Sequence, residues 1–152
     1  MPRTTEAISM VAADVEVSQD GATWIDLAPY GSTVSVAGGD RRTGEINVFD
    51  DERPIVRAGK KASQDITVRF AYTEETGGPF DEIRDWDDTE GGRIYVRYWP
   101  KGKVIGNYVF TTYPFGTITT FLDPGGEAGS GEVVLCEITA KTEELRRSIW
   151  AS

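Results

Sequence analysis

The sequence predicts a mainly β protein: a β-sandwich or partly closed barrel of about 7–8 strands, flanked by one short α-helix around 79–90, with a long protruding loop or hairpin around 38–63. Three observations carry that expectation. Apolar and polar residues alternate in short runs, as half-buried strands require. Clusters of Gly, Pro, Asp and Asn punctuate those runs. Only one stretch repeats its apolar residues at helical spacing.

The elements follow in order. Residues 1–13 read as an N-terminal arm. Val15-Glu16-Val17-Ser18 alternates, Asp20-Gly21 is a hairpin signal, and Thr23-Trp24-Ile25-Asp26-Leu27 returns as a second strand. Pro29-Tyr30-Gly31 turns the chain into a third strand, Thr33-Val34-Ser35-Val36. From Gly38 to Ser63 the periodicity dissolves into charged residues around two apolar islands, Ile46-Asn47-Val48-Phe49 and Ile55-Val56. Structureless stretches of this length are uncommon inside a domain and tend to carry function, so the segment reads as a protruding hairpin or arm. On a lone surface its apolar islands have no purpose; in a partner's groove they do.

Alternation resumes at Ile66, Val68, Phe70 and Tyr72. Gly77-Gly78 then breaks the strand, Pro79 suits a first helical turn, and Asp81 and Glu82 favour the positive end of the helix dipole. Phe80, Ile83 and Trp86 share one helical face, and Gly91-Gly92 stops the helix. Arg93 to Trp99 alternates as a strand, Val104–Tyr113 and Phe115–Leu122 read as two strands split by Pro114, and 123–131 reads as a flexible loop. Glu132–Ala140 closes the fold. Residues 142–152 read as a C-terminal tail in which Leu145 and Ile149, four apart, suggest a helical turn. The length of 152 residues fits one domain, 1–152.

Composition narrows the function. The net charge of −9 argues against wrapping nucleic acid, which requires clustered Lys and Arg, and is compatible with simple dispersal or with a face that repels polyanions. The opening residues carry no targeting signal, and no apolar run reaches the roughly 18 residues of a membrane span, so no membrane partner is expected. The single cysteine, Cys136, lies in an apolar run and reads as a buried structural thiol from a reducing compartment.

Catalytic chemistry is poorly supplied. With no histidine, Ser-His-Asp and Cys-His schemes and the usual zinc sites are excluded. Gly59-Lys60-Lys61 and Gly102-Lys103-Val104 lack the upstream glycine and the hydroxyl of a phosphate-binding loop. The carboxylates Asp81, Glu82, Asp85, Asp87, Asp88 and Glu90 fit a solvated helix face better than a catalytic pair or a calcium loop. Asp50-Asp51-Glu52 could hold a hard cation, but the adjoining Arg53 suggests an ion pair between subunits. Tyr95, Trp99, Tyr113 and Phe115 could form a sugar-stacking platform, though aromatic strands are ordinarily core or interface. No enzyme activity, cofactor or metal is expected.

An early hairpin, a long charged loop running from Gly38-Gly39-Asp40-Arg41-Arg42-Thr43-Gly44 through Pro54-Ile55-Val56-Arg57-Ala58-Gly59-Lys60-Lys61, the strand Ile66–Tyr72, the helix from Pro79, and Arg93-Ile94-Tyr95-Val96-Arg97-Tyr98-Trp99-Pro100 follow one another in a particular order. That order, over residues 13 to 141, resembles the tail tube protein (major tail protein) of long-tailed, non-contractile bacteriophages. The resemblance implies a virion protein that assembles in the host cytoplasm into hexameric rings, stacked as a tube through which DNA passes without specific binding. It implies tape measure, tail terminator and baseplate or initiator proteins as partners. It implies that the long loop reaches a neighbouring subunit, giving Ile46, Val48, Phe49, Ile55 and Val56 buried partners, with Arg41, Arg42, Asp50, Asp51, Glu52 and Arg53 as candidate polar contacts. It also implies an acidic lumen: six subunits at −9 each carry −54 per ring, of which the part facing inward makes a repulsive wall along which DNA slides. The alternative readings are a carbohydrate- or ligand-binding β-sandwich module, and a related tube or terminator protein.

Overall fold

The computed structural model describes residues 13–47, 52–89, 91–125, 129 and 131–151. Among them the chain forms β1 (Asp14–Ser18), β2 (Ile25–Asp26), β3 (Thr33–Gly38), β4 (Arg41–Ile46), β5 (Ile55–Lys61), β6 (Gln64–Ala71), α1 (Pro79–Thr89), β7 (Arg93–Trp99), β8 (Tyr108–Gly125) and β9 (Leu135–Ile149). Seven strands form one sheet in the order β2-β1-β7-β8-β9-β6-β3, and β4 and β5 form a separate two-stranded sheet. Every pairing is antiparallel. The large sheet does not close into a barrel. Its edge strands nevertheless send Ile25 and Val34 against the same apolar cluster, so the sheet curls over one core in a sandwich-like β fold.

Alternation decides which face is buried. Val15 and Val17, Ile66, Val68 and Phe70, Ile94 and Val96, and Cys136, Ile138 and Ala140 all point to one side and lose almost all contact with solvent. Helix α1 covers that side with Phe80, Ile83 and Trp86, the stripe expected from the sequence, while Asp81, Glu82, Asp85 and Asp88 stay exposed. Phe80 meets Tyr72 edge-on at 4.8 Å and Phe121 at 5.4 Å between ring centroids, which ties the helix to the residue just after β6 and to β8. At the first turn, Asp20 Oδ1 accepts the backbone N–H groups of Ala22 (2.8 Å) and Thr23 (2.9 Å) and the Ser18 hydroxyl (3.0 Å). Gly21 supplies the positive φ of 78° that this tight turn needs.

The structure redraws three boundaries. Val104–Asn107 is a turn, and Tyr108–Gly125 is one strand instead of two. The reason lies in the β8–β9 register, which slips between Tyr113 and Gly116, between Ile118 and Thr120, and between Leu122 and Gly125. Each slip places one extra residue on β8, so 18 residues of β8 face 15 of β9. A bulge shifts the phase of alternation and tolerates proline, and Pro114 sits at the first one. Finally, β9 starts at Leu135 and runs to Ile149, so most of the expected C-terminal tail is strand. Leu145 and Ile149 are four apart; that spacing also returns to the same face of a strand, whose period is two. Leu145 pairs with Thr112 and packs on the core.

Cys136 is buried, with its Sγ–H directed at the Phe70 carbonyl 3.4 Å away, and burial pushes its thiol up to about 11. The folded protein therefore holds this proton more tightly than the unfolded chain. The associated stability is complete below pH 9 and is lost as pH rises toward about 11. Denaturation midpoints measured for wild type and Cys136→Ala should converge over that window. Ile83→Ala should lower the unfolding free energy by about 2–5 kcal/mol in urea titrations, because it opens a cavity between helix and sheet.

Candidate assembly surfaces

The aperiodic segment that the sequence reads as a protruding hairpin or arm is a β-hairpin, whose two strands form a sheet of their own beside the main one. Thr43 pairs with Ala58, Glu45 with Val56 and Ile46 with Ile55. β3 continues into β4 and β5 into β6, and the ladder carries on across the joint: Gly39 N–H donates to the Ser63 carbonyl (3.0 Å) and Ala62 N–H to that of Asp40 (2.7 Å). At that joint Gly38 and Gly39 have φ of 85° and 81°, and a Cβ on Gly38 would stand 2.7 Å from the Ser63 carbonyl oxygen. Two glycines thus set the angle at which the arm leaves the body.

All of β4 and β5 is exposed. Of the residues singled out in the sequence, Arg41, Arg42 and Ile46 lie on β4, Ile55 and Val56 on β5, and Glu52 and Arg53 in the bend before β5. Val48, Phe49, Asp50 and Asp51 lie outside the described residues. The structure brings Ile46 opposite Ile55, joining the two apolar islands, and sets Val56 opposite Glu45. Arg41 Nη1 donates to the Gly59 carbonyl at 3.2 Å, across the hairpin. Residues 40–61 hold six basic and five acidic side chains in a chain that is otherwise strongly acidic. An isolated two-stranded hairpin is marginal in water, and the body offers these apolar side chains no cover.

A second cluster was not foreseen. Trp99 and Val109 are buried without belonging to the main core. They lie on the opposite face of the sheet, beside a buried Glu16 that accepts Arg97 Nε at 2.7 Å and Nη2 at 2.5 Å, and Lys103 Nζ at 2.6 Å. The Arg97 guanidinium stands 3.8 Å from the Trp24 ring centroid and 4.9 Å from that of Trp150, and Trp150 meets Trp99 edge-on at 5.2 Å. This nest fastens the end of β9 to β1 and β7; Trp150 and Asn107 complete the joint through a 2.8 Å backbone hydrogen bond. Arg97 and Trp99 share a face by alternation. Trp150, however, falls in the segment the sequence left as a tail.

The cleft beside the start of α1 offers no general acid. It measures about 490 Å³, with Asp20, Tyr30, Glu75, Glu82 and Trp86 in its wall. The N–H groups of Thr23 and Ala22 hold the Asp20 carboxyl below its ordinary range, the opposite of what a general acid requires. Desolvation and the neighbouring Glu75 raise the Tyr30 phenol, which donates to Glu75 at 3.2 Å. The four candidate stacking aromatics do not converge on one open platform: Trp99 is buried, the Arg146 guanidinium covers Tyr113 at 3.2 Å, and that of Arg93 covers Phe115 at 4.5 Å. Among the described residues no group of three His, Cys, Asp or Glu side chains could hold a metal ion, and no helix is long and apolar enough to cross a membrane.

No protein-family model and no curated protein matches the chain. Solved structures do. A chain of the anti-feeding prophage (AFP) baseplate, 6-fold symmetrised, superposes with a TM-score of 0.70 at 12% identity, over 96% of this chain and 97% of that one. A chain of the extracellular contractile injection system PVC sheath/tube terminator in the extended state gives 0.68 at 17% identity, over 96% and 99%. The SPP1 tail tube gives 0.64 at 15% identity, over 96% of this chain and 81% of that one. At such identities the likeness is one of fold: the chain has, nearly end to end, a fold found in phage-type tail and injection assemblies.

Glu16→Ala should destabilise the protein by about 3–5 kcal/mol, because Arg97 would stay half-buried without its counter-charge. Thermal unfolding followed by tryptophan fluorescence checks this. Replacing both ends of the pair (Glu16→Gln with Arg97→Met) should cost clearly less than Glu16→Ala alone.

Proposed function

We propose that this chain is a structural tail tube subunit, a single tail-tube-like domain over residues 1–152 with no enzymatic role. It would self-assemble into hexameric rings that stack into a conduit for DNA. The observation that carries the reading is the exposed hairpin arm on a fold shared nearly end to end with chains of tube-bearing assemblies. Six-fold order is supported by the symmetry stated for the AFP baseplate. The sequence layout pointed to long-tailed, non-contractile phages; the fold is equally at home in assemblies with a sheath. The proposal is therefore the tube itself, assembled in the host cytoplasm and carried in the virion tail. Tape measure, terminator and baseplate or initiator proteins would be its partners, and DNA would pass through without specific binding.

In this reading the arm reaches a neighbouring subunit. Ile46, Ile55 and Val56, with Val48 and Phe49, become buried there, and Arg41, Arg42, Asp50, Asp51, Glu52 and Arg53 make polar contacts around them. The likeness to a sheath/tube terminator chain supports a second reading, in which one ring of this protein closes a tube made of another.

The joint between Asp40 and Ala62 allows a clean test, because the two residues are already hydrogen-bonded neighbours. Replacing residues 41–61 by Asn-Gly, a two-residue hairpin turn, should leave the circular dichroism spectrum and cooperative unfolding of the body intact. Wild-type protein held concentrated should form hollow stacked rings in negative-stain electron microscopy, and the armless variant should form none. Tubes of normal length from the armless protein would sink the role given to the arm. Single rings that never stack would favour the terminator.

A further inference from the structure

β8 and β9 form the longest ladder of the described residues, and each of its ends carries an exposed apolar patch. At one end, where Tyr108 pairs with Ile149, the turn residues Val104 and Ile105 and the strand residue Ile149 are 62%, 72% and 61% exposed. Beside them opens a cavity of about 420 Å³ walled by Pro100, Lys101, Asn107, Tyr108, Phe110 and Arg147. At the other end, where Gly125 pairs with Leu135, Leu122, Val133, Val134 and Leu135 project into solvent, Val133 at 71% exposure. The Val134 carbonyl accepts Tyr72 N–H at 2.9 Å, which fixes this apolar run beside β6. With β9 running over 15 residues, the two patches lie at opposite ends of a strand at most roughly 50 Å long.

The patches differ in charge as well as shape. Lys101 and Arg147 wall the socket, whereas Glu132 directly precedes the projecting run and Glu74 lies two residues beyond Tyr72, whose N–H the Val134 carbonyl accepts. Like ends brought together would set cation against cation or carboxylate against carboxylate, which opposes pairing, while unlike ends attract. A contact between two different patches on one molecule is heterologous. When its partners lie at opposite ends of a rigid ladder it does not close on itself, and it propagates.

We infer that these two ends are the axial contact of the assembly: the Val133–Leu135 run of one copy seats against the Val104, Ile105 and Tyr108 socket of the next. This rests on the tube reading above and gives stacking its own surface, distinct from the hairpin arm. The occupant is a second copy of this chain, presented end to end.

Charge exchange tests the inference. One variant carries Lys101→Glu with Arg147→Glu; the other carries Glu74→Lys with Glu132→Lys. Each alone presents like charges at the axial contact, and its sedimentable polymer should fall at least about tenfold below wild type at low salt. An equimolar mixture restores opposite charges at every junction and should recover polymer, with the two variants alternating. Recovery on mixing excludes misfolding as the cause of the individual losses. If each variant polymerises as wild type does, or if the mixture stays as dispersed as its components while both remain folded by circular dichroism, the axial assignment is overturned and the tube reading stands. If the mixture fails but an excess of isolated arm peptide 40–62 blocks wild-type stacking, the socket belongs to the arm and the assignment is likewise overturned. Wild-type protein that never polymerises at any concentration overturns the tube reading itself.

Discussion

The pairing of β8 with β9, from Tyr108 opposite Ile149 to Gly125 opposite Leu135, is the constraint on which the other elements depend. β7 and β1 attach to one side of that ladder, β6 and β3 to the other, and each is anchored to its neighbour by backbone hydrogen bonds. A flat ladder of that length would carry its flanking strands away from one another. The three single-residue bulges on β8 prevent this, because each bends the strand and increases its local twist. Curvature is what lets Val17 of β1 and Val68 of β6, on opposite wings of the sheet, share one core beneath a single helix.

The same bulges explain how much of this fold could be read in the sequence. Where alternation is uninterrupted, as in Ile66-Thr67-Val68-Arg69-Phe70 or Arg93 to Trp99, the strand, its buried face and its approximate ends were all legible. The helix was legible as well, because Pro79, the acidic first turn and the Phe80-Ile83-Trp86 stripe agree with one another. In β8 the phase changes at each bulge, so the pattern breaks into what look like separate strands although the backbone ladder does not. The end of β9 was lost for another reason. Glu144, Arg146 and Ser148 are exposed, and the strand is held by hydrogen bonds to β8 and by the Trp150 anchor, neither of which leaves a periodic apolar trace.

The candidate assembly surfaces divide along the same line. The arm announced itself because it breaks composition: exposed β4 and β5 carry charge at their root and apolar residues toward their tip, a pattern that stabilises nothing within one chain. Its hairpin geometry was less visible. The strands are polar on both faces, so no periodicity marks them, and the register is held by backbone pairing and by Gly38 and Gly39 at the joint. The Glu16, Arg97 and tryptophan nest was invisible for the opposite reason. Its members come from β1, the residue before β2, β7, the turn before β8 and the residue after β9, and they meet only through the sheet order.

On the tube reading, arm and ladder carry different mechanical duties, and the structure separates them accordingly. The ladder is paired along its whole length and pinned at one end by Arg97, Trp99 and Trp150, which suits a contact that must repeat at a fixed spacing. The arm hangs from a two-glycine joint and has no core of its own. Ordering such a hairpin against a neighbour costs conformational entropy, which the burial of Ile46, Ile55 and Val56 must offset. A subunit built this way binds its neighbours weakly one at a time and firmly when several contacts form together. Dilute copies then stay dispersed by their net negative charge, and growth sets in at high concentration or where a preformed ring already presents both surfaces.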